Sequence, residues 1–211
     1  MAQYFAIHPT HPQPRLIRRA AEIVRRGGLI AYPTDSCYAL GCHLGDAGAQ
    51  ARLRRVRGVD DKHHLTLMCR DLAEIATYAI VDDAQFHTLK LATPGAYTFI
   101  LRATREIPRR LQHPRRKTIG VRVPAHAVAL ALLGDLGEPM LSSTLILPGA
   151  ADPLADAPSI RAALEHELDL VLDSGSCGTL PSTVIDLTGD EAVVLRKGKG
   201  ALERLGRVAA L

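Results

Sequence analysis

The run Leu29-Ile30-Ala31-Tyr32 stops at Pro33, and Thr34, Asp35 and Ser36 follow before apolar residues resume at Cys37. Four apolar residues without alternation suit a strand buried on both faces, and such a strand needs cover on each side. Proline offers no N–H to a ladder, so the strand has to end where it does. A helical stripe precedes it: Leu16, Ala20, Ile23 and Val24 share one face, Pro14 suits a helix start, and Gly27-Gly28 closes the helix. Helix packed on buried strand is the repeating unit of an α/β layer.

The alternation continues along the chain. Asp46 caps a second helix with Ala49, Leu53 and Val56 inward and Gly58 beyond its end. Leu65 to Cys69 reads as a strand, Asp71 and Glu74 as a D-x-x-E variant of the capping box heading a third helix, and Ala84 to Leu91 as a fourth helix. "TPGAYTFILRA" is a turn feeding a strand, Lys117 to Val123 is a strand stopped by Pro124, and His126 to Leu133 is an apolar helix. Met140 to Leu147 is expected as a strand, Pro158 to Glu167 as a helix and Leu170 to Asp173 as a strand. Val184 to Leu187 and Val193 to Arg196 are expected as a closing antiparallel pair, Tyr4 to Ile7 as a short first strand. "SGSCGTLPS" reads as a flexible loop and the last ten residues as a short helix. Strands alternate with helices early and gather late, so the expected class is α/β, a twisted mixed sheet with flanking helices. With 211 residues, no repeat and no linker, one domain over 1–211 is expected, residues 148–158 being the best boundary candidate.

Composition excludes several classes. Hydrophobic residues at 47% and charged ones at 23% argue against disorder. No apolar run approaches the ~20 residues of a membrane span. The start "MAQYFAIHPTHPQPR" lacks the basic head and apolar core of a signal peptide, so a cytoplasmic protein without a membrane partner is expected. Cys37, Cys42, Cys69 and Cys177 include no C-x-x-C pair, and His63-His64 has no ligand-spaced companion, so no structural metal is expected. Both histidines read as plain loop residues.

Charge is uneven although the net value is only +4. Eight basic residues against the single acid Glu106 lie between Arg102 and Arg122, a second cluster is Arg52, Arg54, Arg55 and Arg57, and Asp152 to Asp173 is acidic. These runs fit a solvated face, or an anion-binding surface, since arginine forks match phosphate geometry. No G-x-G-x-x-G, Walker A or G-x-S-x-G motif is present. Hydroxyls and arginines at strand ends are what the chain offers: Thr34 to Ser36, Ser142 to Thr144, Ser182 and Thr183, with Arg57, Arg122 and Arg196. Such groups can hold phosphate and carboxylate oxygens, or they can be turn and strand-surface residues.

Taken together, "YPTDSCYALGC", "TPGAYTFILRA", "TIGVRVPAH", "STVIDL" and "VLRKG" resemble, in order and spacing, the signature pieces of the YrdC/YciO family of threonylcarbamoyl-adenylate synthases. "TLMCRDL", "PRRL" and "RKTIGVRVP" resemble the YciO branch. The resemblance implies a YrdC-like fold with a positively charged cleft, where ATP and L-threonine bind. It implies a reaction joining threonine, bicarbonate and ATP into threonylcarbamoyl-AMP with release of pyrophosphate, for modification of an adenosine beside the tRNA anticodon. Mg2+ would come with the nucleotide. Carried onto this chain, the catalytic candidates are Thr34, Arg57 and Arg122. The nucleotide- or substrate-binding candidates are Asp35, Ser36, Tyr38, Ser142, Ser143, Thr144, Ser182, Thr183 and Arg196. Double-stranded RNA binding, associated with the family, is assigned to Arg109, Arg110, Arg115, Arg116 and Lys117 at a rim of the cleft. The active branch places a Lys-x-Arg motif where this chain has Arg57-Gly58-Val59, and a Ser-x-Asn where it has Thr144-Leu145-Ile146. These departures imply weak synthesis. They leave open a paralogue that binds or hydrolyses an acyl adenylate, and a non-catalytic double-stranded RNA-binding module.

Overall fold

A computed structural model describes residues 1–60, 63–113 and 115–208, without the side chains of residues 206–208. Its strands are β1 (Gln3–Ala6), β2 (Ile30–Tyr32), β3 (Ala39–His43), β4 (Thr66–Met68), β5 (Ala79–Ile80), β6 (Tyr97–Ala103), β7 (Thr118–Arg122), β8 (Met140–Thr144), β9 (Leu170–Asp173), β10 (Thr183–Asp186) and β11 (Val193–Arg196). Its α-helices are α1 (Pro14–Arg25), α2 (Ala47–Arg57), α3 (Leu72–Tyr78), α4 (Asp83–Ala92), α5 (Ala127–Leu136) and α6 (Ala157–Leu164). The strands form one sheet in the order β1-β9-β2-β3-β8-β4-β7-β6-β10-β11, with β5 against β6. β9 runs parallel to β1 and β2, β4 to β7, and β6 to β10; the other pairs are antiparallel. The mixed α/β sheet with flanking helices is therefore present as expected.

Local chemistry sets the element ends. The Asp46 carboxylate accepts the Ala49 N–H at 2.7 Å and opens α2, and Gly58 at φ 62° closes it. That left-handed turn strains any residue with a Cβ, and it fixes Arg57 as the last helical residue. At α3 the expected capping box is only half made. Asp71 accepts the Glu74 N–H at 2.8 Å, while the Glu74 carboxylate turns to the Arg70 N–H at 2.7 Å. A reciprocal box forms at α4 instead, where Asp82 and Gln85 exchange bonds at 2.8 and 3.0 Å.

Several boundaries differ from expectation. The strand expected from Met140 to Leu147 ends at Thr144, because the Leu145 N–H crosses to the Tyr38 carbonyl at 3.0 Å. Lys117 lies at φ 52° and cannot belong to the strand expected from it. The strand expected at Tyr4 to Ile7 begins and ends one residue earlier. β3 is not expected from the sequence: Ala39, Gly41 and Cys42 are small and give no alternation, yet β3 pairs on both sides, with β2 and β8. The terminal segment forms a 3-10 helix over Leu202–Val208; residues 209–211 of the expected helix lie outside the described residues.

Two apolar layers sandwich part of the sheet. On one face Leu40, Leu67, Phe99, Val121 and Leu141 pack with Leu53, Leu89 and Ile160 from α2, α4 and α6. On the other, Ile30, Tyr32, Leu170 and Leu172 pack with Ile17, Ala20 and Val24 of α1 and Val128, Leu132 and Leu133 of α5. This second layer ends near β8 and β4. Beyond it the outward positions between the core residues of β4, β6 and β7 are Thr66, Thr98, Ile100, Gly120 and Arg122. Two-residue alternation thus leaves a polar strip of sheet face without a helix over it.

Candidate functional site

That strip is the floor of a cleft of about 290 Å³. Its walls come from the ends of the elements around it: the 34–37 turn after β2, the C-terminus of α2, the end of β8, and Ser182 to Arg196 around β10 and β11. Nine of the twelve catalytic and binding candidates line it: Thr34, Ser36, Arg57, Arg122, Ser142, Ser143, Thr144, Ser182 and Arg196. Among the described residues no carboxylate lines it.

The hydroxyls are already ordered. Thr34 Oγ1 donates to the Cys37 carbonyl at 2.6 Å and accepts the Ser36 and Cys37 N–H groups at 3.2 and 3.3 Å. The Thr-Asp-Ser segment is thus a self-bonded turn and also a cleft wall. Ser142 Oγ donates to the Leu40 carbonyl at 2.9 Å and meets the buried Tyr32 hydroxyl at 2.7 Å. Burial pushes the Tyr32 phenol above its usual range, so it remains a donor to Ser142. Ser182 Oγ pairs with Thr98 Oγ1 at 2.8 Å.

The arginines divide by role. Arg122 is 6% exposed and bonds Asp35 at 2.6 Å, Ser36 Oγ at 3.0 Å and the Gly95 carbonyl at 3.3 Å. It fastens the 34–37 turn to the turn before β6, and its charge is met by Asp35. Arg57 donates to Ser143 Oγ at 3.1 Å and to the Ile146 carbonyl. Arg196 donates to the Ser182 carbonyl at 2.9 Å. Burial, and then the neighbouring Arg196, hold the Arg57 guanidinium below its usual pKa. Burial also lowers Arg196, and Arg122 adds to that, against the Cys37 thiol. Arg196 is therefore close enough to oppose Arg57, and Arg122 to oppose Arg196.

Three candidates lie elsewhere. Asp35 is committed to Arg122 and is outside the lining. The Tyr38 hydroxyl turns away to the Gly175 carbonyl at 2.8 Å. Thr183 is fully buried, donates to the Gly200 carbonyl at 2.7 Å and accepts the Gly198 N–H at 3.0 Å, so it ties down the segment after β11. The basic stretch does not form one rim, and none of its five candidates lines the cleft. Arg110 donates to the Gly45 carbonyl at 2.9 Å, and Arg116 meets Asp186 at 3.4 Å. Arg109 and Lys117 line a separate cavity of about 620 Å³ with Arg105 and His113. In the second cluster Arg52 and Arg55 pair with Asp169 and Glu167, which leaves Arg57 as its cleft member.

His63 and His64, expected as plain loop residues, both line the cleft. Neither residue belongs to a helix or strand, so no periodicity could place them. His64 Nε2 lies 3.0 Å from Thr118 Oγ1, and its ring stacks on His113 at 4.8 Å.

The model of the Sua5/YciO/YrdC family, described as "Telomere recombination", matches residues 22–198. The chain is 54% identical over 200 residues to the uncharacterized protein YciO of Escherichia coli, covering 95% of this chain and 97% of that one. The crystal structure of E. coli YciO superposes with a TM-score of 0.94 over 97% of this chain and all of the other. Threonylcarbamoyl-AMP synthase of Chromobacterium violaceum is 35% identical over 180 residues, 85% of this chain and 92% of that protein. P. abyssi Sua5 complexed with L-threonine matches at 26% identity and a TM-score of 0.89, over 97% of this chain and 60% of Sua5.

Proposed function

The chain belongs to the Sua5/YciO/YrdC family, related to the threonylcarbamoyl-AMP synthases, and we propose that its cleft binds ATP and L-threonine and forms threonylcarbamoyl-AMP. The observation that carries this reading is that Arg57 and Arg196, beside the Asp35-paired Arg122, line one cleft without a described carboxylate in its lining. A guanidinium depressed by a neighbouring one gains from an anion beside it, and the proposed reaction brings two. Threonine and bicarbonate give a carbamate anion, which attacks the α-phosphate of ATP and displaces pyrophosphate. The site has to neutralise both anions and hold them in line. Arg57, at the end of α2, and Arg196, at the end of β11, supply charge. Ser142, Ser143 and Ser182 supply hydroxyls fixed by their own hydrogen bonds. Mg2+ enters with the nucleotide as part of the substrate. The L-threonine in P. abyssi Sua5 supports the amino-acid half of the reading.

One contact favours slow turnover. Arg57 stands where the active branch has lysine, and its Nη1 is committed to the Ile146 carbonyl. The position where that branch offers an amide is thus used through its backbone.

Titration calorimetry with ATP and Mg2+ tests the reading. Binding is expected in wild type and at least tenfold weaker in Arg196→Ala. No heat at millimolar ATP from folded protein would refute it.

A further inference from the structure

We propose that His63 is the base that takes the proton from the ammonium nitrogen of the amino-acid substrate; this role rests on the adenylate-forming reading above. That reading has a proton to place. The amino acid arrives as R-NH3+, whose nitrogen has no lone pair. One proton must pass to a base before the nitrogen attacks the carbon of bicarbonate. The freed electron pair forms the N–C bond. A second N–H proton and the bicarbonate hydroxyl leave as water, giving R-NH-COO− and one protonated base. Atoms and charge balance with a single acceptor.

Few described groups in the lining can accept it. Arg57, Arg122 and Arg196 hold their protons at any ordinary pH. The buried Cys37 thiol is pushed up by burial and keeps its proton too. Asp35 is bound to Arg122 at 2.6 Å and lies outside the lining. Two imidazoles remain, and His64 is engaged with Thr118 and His113. The His63 ring makes no hydrogen bond to a described residue, while its backbone is anchored through its N–H to the Asp60 carbonyl at 3.2 Å.

The surroundings suit a base that works only when the cleft is loaded. Among the described residues, the charged groups that face His63 are Arg54 and Arg57 from α2, Arg196 from β11, and Asp60 after α2. Burial, then the three arginines, hold its pKa below 6.5 against the opposing Asp60. The empty cleft therefore keeps a neutral ring with a free lone pair at pH 7. A triphosphate and a carboxylate entering between the arginines offset their charge, favour the imidazolium and strengthen the base at the step that needs it. His63 is exposed, so the proton can leave to water.

The test compares wild type, His63→Gln and His63→Ala in three assays. These are threonine- and bicarbonate-dependent adenylate formation from pH 6 to 9, ATP affinity by calorimetry, and ATP formation from threonylcarbamoyl-AMP and pyrophosphate. The last is the adenylyl step in reverse and needs no amine deprotonation. Both variants are expected to lose about 100-fold in forward rate at pH 7, the range for one general base. The loss should shrink as pH rises and the amine ionises unaided. ATP affinity should change by less than about threefold, and the reverse reaction should fall far less than the forward one. Forward and reverse rates falling together, or a loss independent of pH, would make His63 a structural contact and overturn the proposal. Unchanged forward rates in both variants also overturn it, and leave the adenylate reading standing. Wild type that binds ATP but makes no threonine-dependent product defeats the adenylate reading and this role with it.

Discussion

Replacing Asp35 by alanine removes the carboxylate that meets the Arg122 guanidinium at 2.6 Å, where the two side chains are 14% and 7% exposed. Arg122 would keep Ser36 Oγ and the Gly95 carbonyl, neither of which is an anion. Removing one partner of a buried pair costs about 3–5 kcal/mol, because the other charge is left in a poor solvent. Water can reach the Asp35 side of the pair, so the low end, about 3 kcal/mol, is expected. For a chain of this size that corresponds to a Tm lower by roughly 6–12 °C. Urea unfolding followed by circular dichroism measures it. Arg122→Met combined with Asp35→Ala removes both charges, and the double variant should lose much less than the two single losses added together. Destabilisation below about 1 kcal/mol in Asp35→Ala, or strict additivity, would show that the pair does not hold the 34–37 turn.

Other outcomes follow from the same contacts. Arg57→Lys, Val59→Arg and Ile146→Asn together should raise adenylate formation over wild type; a fall with intact folding contradicts the account of Arg57. Tyr32→Phe leaves Ser142 without its buried donor and should cost about 1 kcal/mol in urea unfolding, while no change would mean that water replaces the contact. Burial holds His63, His64 and His126 below 6.5, so the unfolded chain binds more protons than the folded one as pH falls through 6.5. Stability should be complete above about pH 7 and decline below it, and a urea midpoint equal or higher at pH 5.5 than at 7.5 contradicts this sign. RNA association, if driven by the cavity of Arg105, Arg109 and Lys117, should weaken steeply with salt and be lost on charge reversal at Arg109 and Lys117.

Much of this architecture was legible because its signals are local. Pro33 stops β2, Asp46 and Gly58 bound α2, and the turn in "TPGAYTFILRA" leads into β6. The hydroxyl and arginine candidates converge because the ends of their elements surround one strip of the sheet face. Partnership was not legible. Arg122 and Asp35 are 87 positions apart, and only folding shows that they satisfy each other. Thr183 and Tyr38 look like their neighbours in sequence, but their hydroxyls turn to the Gly200 and Gly175 carbonyls. The five basic residues from Arg109 to Lys117 read as one surface, yet Arg110 and Arg116 are drawn to Gly45 and Asp186 on different elements. β3 was hidden by small residues, and Gly41 is needed there because a Cβ would lie 2.9 Å from the Tyr32 ring. His63 and His64 carry no periodicity at all, and only folding places them in the cleft lining.

The proposed activity is formation of an acyl adenylate from an amino acid in the arginine-lined cleft. It is tested by following labelled bicarbonate into threonylcarbamoyl-AMP, with pyrophosphate release counted in parallel. Wild type should release pyrophosphate only when L-threonine, bicarbonate and ATP with Mg2+ are all present, one for each label incorporated, and Arg196→Ala should abolish both signals. Pyrophosphate released at the same rate without threonine, or label incorporated equally by Arg196→Ala, would contradict the account.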